Sequence, residues 1–163
     1  MFYCQNTPAQ VAMSQALPLT DQVMTEGSPP FVAEARNNFS SVRDYLIKEL
    51  NEMDLPFVPL GTQSGYFMLA DISRCRSLVP SSFLESHDYE PESDAPPVRK
   101  VQLYMPNTGK IPLDLAFCRW MAIHNKVTMM PNSFFYHPKS PYIQENYVRL
   151  AICKDLRSVQ KAC

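Results

Sequence analysis

Glycine is nearly missing from this 163-residue chain: there are 4, against 15 prolines. Phosphate-cradling loops are built on glycine, because only a residue without Cβ lets backbone N–H groups close around an anion. No G-x-G-x-x-G follows any candidate strand, which excludes a dinucleotide-binding fold. No G-x-S-x-G surrounds Ser133, so the nucleophile elbow of a hydrolase is absent. The five cysteines, Cys4, Cys75, Cys118, Cys153 and Cys163, form no C-x-x-C pair. Their odd number and wide spacing argue against a secreted disulfide framework and for a reducing setting, cytoplasmic or mitochondrial. The three histidines, His87, His124 and His137, stand alone, so no zinc-type ligand set and no metal is expected. An excess of one charge is also lacking. The net charge is −1, which argues against a nucleic-acid partner, since phosphate contacts need clustered Lys and Arg. No apolar run nears the ~18 residues of a membrane helix. The stretch MFYCQNTPAQ has neither the basic region nor the apolar core of a signal peptide. No membrane partner is expected.

What is present is enough for a core. Hydrophobic residues make up 45% and aromatics 11%. The length suits one domain, since domains mostly run ~100–200 residues. Thr7 and Pro8 read as a helix start, with the helix stopping before Pro18. Ser28 with Pro29 and Pro30 is a second start. Ala35, Phe39, Val42, Leu46, Leu50 and Met53 then make one stripe of a long helix ending near Asp54. Residues 57–59 and the apolar run after Gly65 read as strands. Residues 74–112 are Pro-rich and acidic, and read as an exposed excursion with a short hairpin around VQLYMPNTGKIPL. Asp114 reads as the N-cap of the next helix, Val127–Met130 as a strand stopped by Pro131, and Tyr147–Cys153 as the last strand. Asp155 caps a final helix with Leu156 and Val159 inward. Cys118 and Cys153, among apolar neighbours, read as small buried hydrophobes. Adjacent strands favour antiparallel pairing. The expectation is an α+β fold, a small antiparallel or mixed sheet with helices on one face.

Arg149 is the most informative residue. Along YVRLAIC it alternates with apolar neighbours, and a partly buried guanidinium needs an anion. Its fork pairs bidentately with a carboxylate, either an internal one, for which Asp71 is the candidate, or that of an amino or oxo acid. The aromatic stretch PNSFFYHP reads either as pocket lining or as core packing.

GYFMLADIS, then DLAFCRWMAIHNKVTMMPNSFFY, then NYVRLAICKDLRSVQKA resemble, in order, the C-terminal part of PLP-dependent class I/II (fold type I) aminotransferases. The likeness is to the kynurenine–oxoglutarate transaminase and cysteine-S-conjugate β-lyase branch, and TPAQVAMSQAL resembles the helix after the family's cofactor-lysine segment. The resemblance implies a small domain over residues 1–163, with 1–27 a remnant of the large-domain connection. It implies that Arg149 holds the substrate α-carboxylate, that Ser133 and Phe134 lie near the substrate, and that Phe2-Tyr3 borders the active site, often a neighbouring subunit's. It further implies an amino-acid and 2-oxo-acid substrate pair, PLP as cofactor of the complete protein, and a homodimer.

The same resemblance places the Schiff-base lysine and the residues around the PLP ring upstream of the first residue. Lys48, Lys100, Lys110, Lys126, Lys139, Lys154 and Lys161 match no cofactor context. The expectation is a transaminase fragment without catalytic or cofactor residues of its own, inactive alone. The rival is a non-catalytic pseudo-enzyme or binding module that keeps the fold.

Overall fold

The computed structural model describes residues 6–23, 26–85, 111–137 and 139–162. Helix α1 (Thr7–Ala16) is capped by Asn6 rather than Thr7: the Asn6 Oδ1 accepts the Ala9 N–H at 3.2 Å. No α1 side chain is buried. Helix α2 (Phe31–Glu52) carries the anticipated stripe. Val42 and Leu46 are buried, with Phe39 and Leu50 packed beside them. Its start lies three residues past Ser28, with Pro30 at the cap position. Asp54, just beyond its end, takes a left-handed φ of 49°, a conformation usually left to glycine. Lys126 does the same at φ 60° after α4 (Leu113–Trp120) and its π-helical continuation Met121–Asn125. Scarce glycine thus forces ordinary residues into strained caps.

Four strands make one antiparallel sheet: β1 (Val58–Pro59), β2 (Phe67–Asp71), β3 (Met130–Pro131) and β4 (Tyr147–Ala151), in the order β1-β2-β4-β3. Pro131 does not stop β3; it belongs to it. β3 is an edge strand, so a residue without an N–H is tolerated there.

The helices cover one face of this sheet. Met68 and Ala70 of β2 and Val148 of β4 point to that face and are buried, as are Ile72 and Ile152 just past the strand ends. Ala70, Ile72 and Val148 pack against Leu113, Leu115, Ala116, Phe117 and Cys118 of α4. Met68 and Ile152 pack against α2 and Val159 of α5 (Leu156–Gln160). Asp155 caps α5 as expected, accepting the Ser158 N–H at 2.9 Å. Leu156 is exposed rather than inward, so only Val159 anchors the helix.

The described flanks of the Pro-rich stretch, including α3 (Ser81–Leu84), are tied to the core. Cys75, Val79 and Ile111 are buried in the cluster that includes α4. Residues 86–110, with most of the anticipated hairpin, lie outside the described residues. Cys118 is buried, and burial pushes its thiol up to about 12. Cys153 corrects the sequence reading: it is exposed, because alternation along β4 turns it away from the core, to the side of Arg149 and Ala151. No helix among the described residues is long and apolar enough to cross a membrane.

Candidate functional site

The other face of the sheet carries Phe67, Leu69 and Asp71 from β2, and Tyr147, Arg149 and Ala151 from β4. Here Arg149 is flanked by two aromatic rings. Its Cζ lies 4.0 Å from the Phe67 ring centroid and 4.3 Å from that of Phe135. Such contacts hold a guanidinium by roughly 0.5–2 kcal/mol each. They also exclude water without giving the N–H groups a proper acceptor. The Arg149 Nε is buried and has no hydrogen-bond partner. A buried donor left unpaired costs about 1–3 kcal/mol, more when it is charged.

The expected internal partner, Asp71, does not pair with Arg149. Among the described residues Arg149 makes no ion pair. Register explains why Asp71 fails as partner. Leu69 stands directly opposite Arg149, whereas Asp71 is opposite Tyr147. The Asp71 carboxylate instead accepts the Ser73 N–H at 2.7 Å, closing a local turn. A charged guanidinium is therefore held in place between two rings with its buried Nε–H unpaired.

The PNSFFYHP stretch folds as a 3-10 turn, Asn132–Phe135. Phe134 and Phe135 are 61% and 57% exposed, so this stretch lines the open face rather than the core. Ser133 is turned the other way. It is buried, its N–H donates to the Asp114 Oδ2 at 2.5 Å, and its Oγ donates to the Asp114 Oδ1 at 3.0 Å. The serine hydroxyl is thus committed to a carboxylate and fixes the turn. Asn132 adds a second tie, donating from Nδ2 to the Gln144 carbonyl at 3.1 Å. His137 is occupied locally, its Nδ1 accepting the Lys139 N–H at 3.2 Å. Tyr3 lies outside the described residues.

Asp114 was read as a helix cap, and that reading is corrected. Pro112 holds the cap position, and Asp114 sits inside the first turn with its carboxylate fully buried. Burial pushes its pKa up to about 6, against the lowering effect of hydrogen bonds from Ser133 and the Leu115 N–H; Glu145 adds a smaller upward push. The orphan Leu113 N–H of α4 is met from outside the helix: Glu145 Oε2 accepts it at 3.4 Å, while Glu145 Oε1 pairs with Arg76 at 3.0 Å. Sequence reasoning missed Asp114, and Phe67 beside Arg149, and reached Phe135 only as part of the PNSFFYHP stretch. A carboxylate inside the apolar run LDLAF was the available signal for Asp114. Among the described residues there is no cluster of side chains fit to hold a metal ion.

No family model matches the chain. It is 26% identical over 160 residues to kynurenine–oxoglutarate transaminase 1 of Mus musculus, covering 98% of this chain and 31% of that protein. It is 29% identical over 154 residues to kynurenine–oxoglutarate transaminase 3 of Mus musculus, covering 94% and 28%. The chain thus spans about three tenths of the length of the curated relatives it matches. Among solved structures, an Escherichia coli protein with a methionine aminotransferase function aligns with a TM-score of 0.56 at 22% identity, over 96% of this chain and 29% of its own. The aspartate aminotransferase from Rhizobium meliloti aligns at 0.54 with 18% identity, over 98% and 30%. By sequence the chain is similar to about three tenths of the kynurenine–oxoglutarate transaminases, and its fold resembles part of solved aminotransferases.

Proposed function

We propose that this chain supplies the substrate-carboxylate clamp of a PLP-dependent transaminase acting on kynurenine, aromatic or sulfur amino acids with a 2-oxo acid acceptor. The observation that carries the proposal is the unpaired Arg149 Nε between Phe67 and Phe135. A carboxylate is the acceptor whose two oxygens match that fork. Amino donor and oxo acceptor both present an α-carboxylate, so one guanidinium serves both half-reactions. Phe134 and Phe135, exposed beside it, offer apolar surface to an aromatic or thioether side chain. Ser133 contributes by fixing the turn rather than by touching the acid.

PLP supplies the electron sink for amino-group transfer in the complete protein. On this reading the cofactor is held by residues outside the open face described here. Its strand positions hold no lysine, and among the described residues Lys126 donates to the Ile123 carbonyl while Lys48 pairs with Glu52. In this reading the chain alone binds the acid and does not transaminate. On the same reading residues 1–27 belong to the connection with a cofactor-binding domain, the excursion of the 74–112 stretch is confined to the part between its core-packed flanks, and the complete protein is a homodimer with a β-lyase side reaction on cysteine conjugates.

A second reading rests on Leu69, Met130, Phe134 and Phe135, all exposed on or beside this face. They suit a non-catalytic module that binds a protein partner. Titration with 2-oxoglutarate, followed by the Arg149 Nε–H resonance, separates the two. A saturable shift supports the clamp, and its absence removes it.

A further inference from the structure

We propose that Asp114 is the positioning residue of the Arg149 clamp, acting through Ser133 and the aromatic turn that follows it. This rests on the reading of Arg149 as a carboxylate clamp. The connection is short. Asp114 lies in the first turn of α4, and both its oxygens are used: Oδ2 by the Ser133 N–H, Oδ1 by the Ser133 Oγ and by the Leu115 N–H at 2.8 Å. Ser133 is the second residue of the 3-10 turn, and Phe135 is its last. The Tyr136 N–H donates back to the Ser133 carbonyl at 3.2 Å, so the turn closes on the tethered residue itself. Phe135 in turn lies 4.3 Å from the Arg149 Cζ. Phe67, the other flanking ring, comes from β2 and needs no tether beyond the sheet.

A turn of this length has no hydrophobic anchor of its own here, since Phe134 and Phe135 are both exposed. The buried hydrogen bonds to Asp114 supply the anchor. They are charge-assisted and made away from water, where such bonds are strong. Burial holds the Asp114 carboxyl up at about 6, so it is ionised at neutral pH against a desolvation cost. Groups that carry such a cost concentrate at functional sites. The carboxylate never meets the ligand; it keeps the ring over the guanidinium, and the ring keeps the fork oriented.

The test measures the affinity of the 163-residue chain for 2-oxoglutarate by calorimetry, with the Arg149 Nε–H resonance reporting where the acid sits. Asp114→Ala should weaken binding roughly tenfold, the scale of one lost charge-assisted bond. Ser133→Ala, which keeps the backbone bond, should weaken it by roughly threefold. Asp114→Asn should recover part of the affinity, because its carbonyl can accept the Ser133 N–H and its amide can donate to the Ser133 Oγ, while the Leu115 N–H loses its acceptor. In an Arg149→Lys background the alanine change should add less than about twofold, because the residue it acts through is gone. An equal loss in both backgrounds would mean a general structural effect and overturns the proposal. So does unchanged affinity in a folded Asp114→Ala protein. Where that variant does not fold, unchanged affinity in Ser133→Ala overturns it instead. A parent chain whose Arg149 resonance never moves overturns the clamp reading and this inference together. A shift that titrates in Asp114→Ala at the parent's ligand concentrations overturns only the inference.

Discussion

The two faces of one small sheet are built to opposite rules. On the covered face Met68, Ala70 and Val148 are at most 1% exposed, and helices α2, α4 and α5 complete their contacts. On the other, Leu69 is 39% exposed and Arg149 carries a buried donor with nothing to donate to. The same strands supply both, one residue apart. The covered face contributes stability and gains nothing from a ligand. The open face carries the cost of an unpaired buried donor, which on the proposed clamp a ligand's carboxylate removes. Each of the following changes tests that division.

The largest effect belongs to the covered face. Met68→Ala deletes a fully buried side chain between α2, α5 and the sheet, in a cluster with Val42, Leu46, Ile152 and Val159. Such truncations cost about 2–5 kcal/mol, depending on how far the site collapses. The melting temperature should fall sharply, while 2-oxoglutarate affinity among folded molecules stays within about twofold. A melting temperature left unchanged would mean that this face is not the core.

Asp114 gives the next effect, and it runs with pH. Its carboxyl is raised from 3.8 to about 6 in the folded chain. The folded state therefore holds the proton more tightly than the unfolded one. Stability from this group is fully present below about pH 4 and is lost as pH rises through 6. The window spans roughly 2 pKa units, or about 3 kcal/mol at most. Glu145 and the Ser133 and Leu115 donors are the groups that face it. Comparing the parent with Asp114→Asn from pH 4 to 7 isolates the contribution. The difference in unfolding free energy between the two should change across this window, and a flat difference would remove the shift.

Arg149→Lys should act on binding and hardly at all on stability. Replacing the fork by a point charge removes one of two parallel bonds, about 1.5–3 kcal/mol, or roughly ten- to hundredfold in affinity for 2-oxoglutarate. The melting temperature should shift little, because among the described residues Arg149 makes no ion pair that would be broken. A large fall in stability with affinity retained would show that the arginine serves packing.

These contrasts also mark what the sequence could reveal. Helix α2 was legible because its stripe repeats over 22 residues, long enough for periodicity to outvote any single exception. Arg149 was legible because a charge inside YVRLAIC has few bland explanations. Its partners were not. Phe67 and Phe135 reach it through strand register and a 3-10 turn, and neither is encoded in local spacing. Asp114 was misread because helix-start chemistry and buried-carboxylate chemistry use the same residue type, and only the fold shows that Pro112 holds the cap position. Strand ends were overextended at Cys153 because apolar composition continues after pairing stops.

The smallest expected effect is the sharpest test of the division, since it lies one residue from the largest. Leu69 follows Met68 in β2, pairs across the ladder with Arg149, and is 39% exposed. Leu69→Thr keeps a β-compatible side chain and removes apolar surface that no described element covers. If the face is open in solution, the substitution should change stability by about 0.5 kcal/mol or less, the usual range for surface sites. Affinity for a small carboxylate should hold, because threonine leaves the approach to the fork clear. Urea unfolding of Met68→Ala and Leu69→Thr side by side gives the comparison directly, and equal slopes show that both report the same unfolding transition. A loss at Leu69 approaching that at Met68 would mean that Leu69 is buried in solution. Some further surface would then cover Arg149, and the orphaned Nε–H would have an acceptor already. In that case the clamp and the Asp114 tether would both have to be re-read as parts of an interface.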